Sequence, residues 1–282
     1  MNQATGPATL PAPLSDALAT GVVAGATWRE LARRRRLLSL GFLLLLPVLL
    51  LISLRIFAPE STPPQVALPL LARYVYIWFL LPITAMAVGA PAIAEPIAEG
   101  TLVYFWTRPL RRHALYLGRI LAATIVSCGL VLLSQTAVFA VLLAGWTEAI
   151  DLELVRLHVE MTFVTLLGTL AYTTLFGAFG AGLKRPMVAS VLVTFGWEWL
   201  VADIPQRIQE WTLQFHLRNL VHWPEQEGTQ TLDQTIRELI NQALQREAVP
   251  AWQSVATLLA ISLVATVAGV LLLRRRQLDR QG

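Results

Sequence analysis

Long apolar runs alternate with short, arginine-rich segments along this chain. An α-helix needs roughly 20 residues to cross about 30 Å of hydrocarbon, and six runs are candidates: Leu37 to Phe57, Val66 to Ala94, Ile120 to Trp146, Met161 to Leu183, Met187 to Val201 and Trp252 to Leu273. The fifth is short. The second is long and holds Pro69, Pro82 and Pro91, which predicts a kinked or broken helix whose freed backbone groups find partners on neighbouring helices. The pattern predicts an all-α polytopic membrane protein with six transmembrane helices.

Before the first run the pattern changes. Residues 1–24 are rich in Ala, Pro and Thr and lack a charged region followed by an apolar core, so they read as a disordered tail rather than a signal peptide. Next comes TWRELARRRR, where Thr27 and Glu30 have capping-box spacing. Trp28, Leu31 and Ala32 can face lipid while Arg29 and Arg33 face headgroups, which describes a short interfacial helix leading into the first span. An anchor holding positive charge on one side would account for the arginines, though not for the cap.

Composition agrees with membrane burial. Of 282 residues, 55% are hydrophobic and 14% charged, against the quarter or so charged in a soluble domain. The net charge of +4 comes from 22 basic residues, of which Lys184 is the single lysine. No stretch joins a basic face to soluble composition, which argues against nucleic acid as a partner. The single Cys128 excludes a disulfide framework. Arg29, Arg33 to Arg36, Arg108, Arg111, Arg112, Arg119, Lys184, Arg185, Arg274 to Arg276 and Arg280 fall on one side of the six-span map. The positive-inside rule makes that side, with both termini, cytoplasmic.

On the opposite side, Arg55 and Arg73 lie near the outer ends of spans one and two, and Glu198 and Asp203 close span five. These four either line an outer vestibule or act as snorkelling anchors. The segment 204–251 is patterned: Ile204, Ile208, Trp211 and Phe215 recur at helical spacing, as do Leu232, Ile236, Leu239 and Ala243. Thr231 and Gln234 give the second of these a capping-box start. The expectation is an extracytoplasmic amphipathic segment that rests on the outer leaflet or packs on the spans. In span four, Gly177, Gly180 and Gly182 permit close helix approach.

Several chemistries lack their residues. GAFGAGLKR has Leu183 between Gly182 and Lys184, so no Gly-Lys phosphate loop exists and ATP should not bind this chain. There is no metal-ligand spacing of His and Cys and no nucleophile elbow, so no catalytic, cofactor-binding or metal residues are assigned.

Between spans two and three, Glu99 to Arg119 (EGTLVYFWTRPLRRHALYLGR) is longer than a turn and too apolar to float in solvent. It is expected to lie along the membrane surface, with Pro109 breaking the helical ladder and its basic cluster facing outward. This stretch resembles the segment after the second span in membrane subunits of type-2 ATP-binding cassette exporters. The matching positions are Glu99, Gly100, Thr101, Leu102, Arg108, Pro109, Leu110, Arg112, Tyr116 and Gly118; Arg111 stands in place of a usual Ser and Arg119 in place of a usual Lys. WEWLVADIPQRIQEWTLQFHLRNL is similar to the segment after the fifth span in one branch of that family.

The resemblance implies one permease domain over residues 25–282 in a bacterial or archaeal plasma membrane. Segment 95–119 would be the surface that couples to a separate ATPase subunit, through Glu95, Glu99, Gly100, Thr101, Arg108, Pro109, Arg111 and Arg112. ATP and Mg would be held by that partner. A second permease subunit, the same chain or a relative, would complete the path. Two other functions stay open on the residues: a force transmitter acting on an extracytoplasmic protein without moving cargo, and a membrane-embedded enzyme.

Overall fold

The computed structural model describes residues 15–33, 35–57, 64–100, 112–144, 152–201, 207–221 and 249–278. Every element among them is helical. Helix α1 (Asp16–Ala32) begins inside the stretch expected to be a disordered tail. Its alanines favour helix, and Asp16 in the first turn suits the positive end of the helix dipole. Ala19, Val23, Thr27 and Leu31 are buried at a step of four, a single stripe. Thr27 is therefore an interior residue of α1 and not its cap, because the stripe carries the helix upstream to Ser15. Leu31 faces protein instead of lipid, packing with Leu40, Val88, Ala92, Ala123 and Val126, while Trp28 and Ala32 are exposed.

Among the described residues, five helices are long and apolar enough to cross a membrane: Arg35–Phe57, Ala67–Ala98, His113–Leu143, Leu152–Gly182 and Ala251–Arg275. A sixth apolar helix, Pro186–Val201, is shorter. In element terms these comprise α2 (Arg35–Phe57), α3 (Pro64–Leu70), a π-helical stretch (Leu71–Leu80), α4 (Leu81–Ala98), α5 (Arg112–Leu143) and α6 (Leu152–Gly182). After them come α7 (Pro186–Val191), a second π-helical stretch (Leu192–Glu198), α8 (Trp199–Val201) and, later in the chain, α10 (Ala251–Leu278).

The second span is not broken. It runs on through Pro69, Pro82, Pro91 and Pro96, and the wide π turns immediately precede Pro82. Insertions of this kind reshape the backbone hydrogen-bond ladder, and a proline inside a helix leaves the carbonyl four residues earlier without its usual amide donor.

Helix α6 is the hub, packed against α10, α4 and α5. Its glycines serve three different neighbours. A Cβ at Gly177 would overlap Ile120; one at Gly180 would lie 2.6 Å from the Ala90 carbonyl oxygen, and one at Gly182 2.7 Å from Leu272. Helices α2 and α10 show most of their surface outward, whereas the second span and α6 are largely enclosed. Ser134 of α5 ties two spans together by donating to the Leu44 carbonyl at 2.6 Å, which leaves its oxygen to accept from the Tyr76 hydroxyl at 2.9 Å.

The short apolar helix stops part-way through the bundle. At about 1.5 Å per residue its 16 residues reach roughly 24 Å, less than the hydrocarbon thickness. A 3₁₀ turn (Arg207–Trp211) and helix α9 (Leu213–Asn219) follow. The expected continuous helical face from Ile204 to Phe215 is interrupted at Thr212, whose backbone is extended and whose hydroxyl accepts from the Phe215 amide at 3.2 Å. Ile204 and the second outer helix expected around residues 232–243 lie outside the described residues.

Candidate functional site

The structure brings the expected positions to two separate places. The first is the end of the bundle where α1 lies on the start of α5, α2 begins, and α4, α6 and α10 finish. Gly182 against Leu272 and Gly269 against Tyr116 fix that these ends are neighbours. Arg29, Arg33, Arg35, Arg36, Lys184, Arg185, Arg274 and Arg275 all belong to it by chain position.

Segment 95–119 has its two stems here. On the first, Glu95 pairs with Arg36 at 2.8 Å, a half-exposed contact worth at most about 1 kcal/mol. Glu99 is exposed and closes the last turn of α4, its amide donating to the Glu95 carbonyl at 2.8 Å. Gly100 follows with φ of 69°, the left-handed geometry that glycine adopts without a Cβ penalty when a helix ends. Thr101, Arg108, Pro109 and Arg111 lie outside the described residues, and Arg112 is placed as the first residue of α5.

The second stem is clamped by a residue whose role the sequence pattern did not disclose. Arg119 is 5% exposed. One of its guanidinium nitrogens donates to the Ala92 carbonyl at 3.0 Å and the other to the Glu30 carboxylate at 3.4 Å. Ala92 lies four residues before Pro96, so its carbonyl is one that a proline has deprived of an amide donor. The arginine supplies the missing bond and joins α4, α5 and α1. Nearby, His113 meets Asp16 at 3.3 Å. A Cβ at Gly118 would come within 2.7 Å of the Thr20 carbonyl oxygen and 2.8 Å of Val23, so α1 lies directly on the α5 backbone. Trp28 shares none of these contacts.

The second place lies deeper in the bundle. Glu198 ends the second π-helical stretch and is 2% exposed. Its carboxylate accepts from the Leu213 and Gln214 amides at 3.1 and 3.0 Å and from the Tyr172 hydroxyl at 3.2 Å. The negative group thus occupies the amide-rich start of α9. Tyr172 is ten residues before the end of α6, so this junction sits roughly 15 Å inside the bundle at about 1.5 Å per residue. Beyond it α9 fills the column that the short helix leaves, with Leu213, Leu217 and Val221 in the main core and Leu217 against Gly168.

Other contacts hold α9 in place. His216 bonds Ser254 of α10 at 3.1 Å and the Glu210 carbonyl at 2.9 Å. Asn219 donates to the Val249 carbonyl at 2.8 Å and to Ser254 at 2.9 Å. The Trp78 carbonyl accepts from Trp199 Nε1 at 3.1 Å and Gln214 Nε2 at 3.3 Å. The Trp78 and Trp199 rings stack with centroids 4.7 Å apart.

Of the four residues considered as vestibule lining or as anchors, three lie among the described residues. Glu198 is enclosed, its carboxylate bonded to two backbone amides of α9 and to the Tyr172 hydroxyl. Arg55 donates to the carbonyls of Val141 and Leu142, capping the end of α5. Arg73 lies with its guanidinium 5.5 Å from the Tyr74 ring centre, and Asp203 is outside the described residues. The segment expected to lie outside the spans contributes α9 to the core. Among the described residues no group of three or more His, Cys, Asp or Glu could hold a metal.

Long apolar helices, buried polar groups paired helix to helix, and one basic end define a multi-pass membrane protein. Residues 31–197 match the family model described as ABC-2 family transporter protein, more than half of the chain. The chain belongs to that family and is a membrane subunit of an ABC transporter. No curated protein matches it.

Proposed function

We propose that this chain is the membrane-spanning half of an ATP-driven exporter, working with a separate ATPase subunit and a second permease chain in a bacterial or archaeal plasma membrane. The observation that carries the reading is the mounting of segment 95–119. Both its stems are tied to the N-terminal helices, one through Glu95 and Arg36, the other through Arg119, Glu30 and the Ala92 carbonyl. A push on the segment between them would be delivered to α1, α2, α4 and α5 together rather than absorbed by a loose loop. The gathering of arginines at this end favours its being the cytoplasmic face, where an ATPase with Mg and ATP would dock.

Arg111 and Arg112 are the proposed contact charges, with Glu99, Gly100, Thr101, Arg108 and Pro109 shaping the surface. The test is Arg111→Glu with Arg112→Glu. Membrane insertion should be normal, ATPase co-purification weakened and transport-linked hydrolysis lost, since like charges facing across an interface cost several kcal/mol. Arg237→Glu, outside segment 95–119, is the control and should keep the ATPase bound. Wild-type ATPase binding by the double variant would reduce these arginines to topology anchors.

A further inference from the structure

Outside the sites above, the bundle carries an open apolar groove of 590 Å³ between α6 and α10, of the size of ordinary small-molecule pockets. Leu175, Phe179, Ile261, Val264 and Leu272 form its walls, and small residues (Ala178, Ala260, Ala265, Ala268) keep it hollow. At one end the two helices close on each other, Gly182 against Leu272. Immediately past that contact the chain places exposed Lys184 and Arg185 on one wall and exposed Arg274 and Arg275 on the other. None of these four makes an ion pair among the described residues.

We infer that this groove is a binding site for an anionic phospholipid, one acyl chain lying between α6 and α10 and its phosphate held by Lys184, Arg185, Arg274 and Arg275. Two features specify this occupant. The groove is open and apolar, and α10 exposes Leu259, Leu263 and Val267 beside it, so a lipid chain suits it. Basic residues at a helix end near the headgroup layer select anionic lipids, and here they flank the groove from both sides, none of the four ion-paired among the described residues. A neutral lipid would leave four cations unmatched. A second protein chain laid along the groove would have to bury them.

The proposal is tested on the full chain in nanodiscs with phosphatidylglycerol carrying a photoreactive group on its acyl chain, set against the phosphatidylcholine analogue. Peptides covering 175–183 and 260–272 should carry the label preferentially with phosphatidylglycerol. Ala268→Phe, which fills the groove, should abolish the preferential labelling. Leu263→Phe, on an exposed part of α10 outside the groove, should not. Arg274→Ala with Arg275→Ala should weaken phosphatidylglycerol binding roughly thirtyfold, from about fivefold for each cation near an anionic surface, and leave phosphatidylcholine unaffected. Even labelling of all outward-facing helices, equal labelling by the two lipids, or crosslinking of the groove to a second copy of the chain would each overturn it.

Discussion

Replacing Arg119 with alanine tests whether a proline-freed carbonyl sets the packing at the basic end. In the wild-type chain Arg119 bonds the Ala92 oxygen at 3.0 Å and is 5% exposed. Alanine there leaves a buried carbonyl unsatisfied, at about 1–3 kcal/mol. The Glu30 side of the bridge is over a third exposed, so solvent takes up most of that loss and little is added. The expected destabilisation is about 2 kcal/mol. The decisive comparison is the same change made together with Pro96→Ala. An alanine at 96 has an amide proton, which closes the helical bond to Ala92 and removes the need for the guanidinium. Arg119→Ala should then cost about 1–2 kcal/mol less than in the wild-type background. The four proteins are compared by denaturant or thermal unfolding in one detergent, following residual secondary structure, under conditions where unfolding is reversible. Independent sites add to within about 0.5 kcal/mol. If Arg119→Ala costs the same with and without Pro96, the carbonyl is not what Arg119 serves and the clamp is wrongly assigned.

Other expectations follow from the same contacts. Glu198→Ala strips three buried donors of their acceptor and should destabilise by at least about 3 kcal/mol; Glu198→Gln, which keeps one acceptor oxygen, should lose less, and unfolding in detergent ranks them. Gly118→Val puts a side chain into Thr20 and Val23 and should lift α1 off α5, read as faster proteolysis within residues 16–32 while the remaining spans stay protected. Gly100→Ala must hold a left-handed φ and should lower stability by about 1 kcal/mol. Cysteines placed at Ser61 and Gly228 should react with an impermeant thiol reagent in intact cells and one at Thr5 should not; reaction at Thr5 would reverse the proposed orientation.

Much of the helix inventory was legible because long apolar runs permit few alternatives. Leu37 to Phe57 was expected and Arg35–Phe57 is found; Trp252 to Leu273 lies within α10. The errors occur where charges have partners that the sequence does not put side by side. Span three was expected to open at Ile120, but helix α5 begins before it because Arg119 is satisfied by Ala92 and Glu30. Span four was expected from Met161, yet α6 starts at Leu152, with Arg156 and Glu160 paired at 3.0 Å along the helix surface. Helix α9 was the hardest to read. LQFHLRN looks like a surface segment until Glu198, Ser254 and the Trp78 carbonyl are known to receive its polar groups. The approach of the spans through Gly177, Gly180 and Gly182 could be foreseen from residue size, though not that each glycine meets a different helix.

The proline that strands a carbonyl near the end of the second span bears on how this sequence is free to change. Pro96 is matched by a donor at Arg119. A substitution on either side of such a match is costly alone and tolerable in company, so positions 96 and 119 are expected to drift together. Lineages that regain an amide at 96 would be released from keeping an arginine at 119. The same coupling makes the order of replacements matter when this chain is redesigned: the amide must return before its substitute is withdrawn.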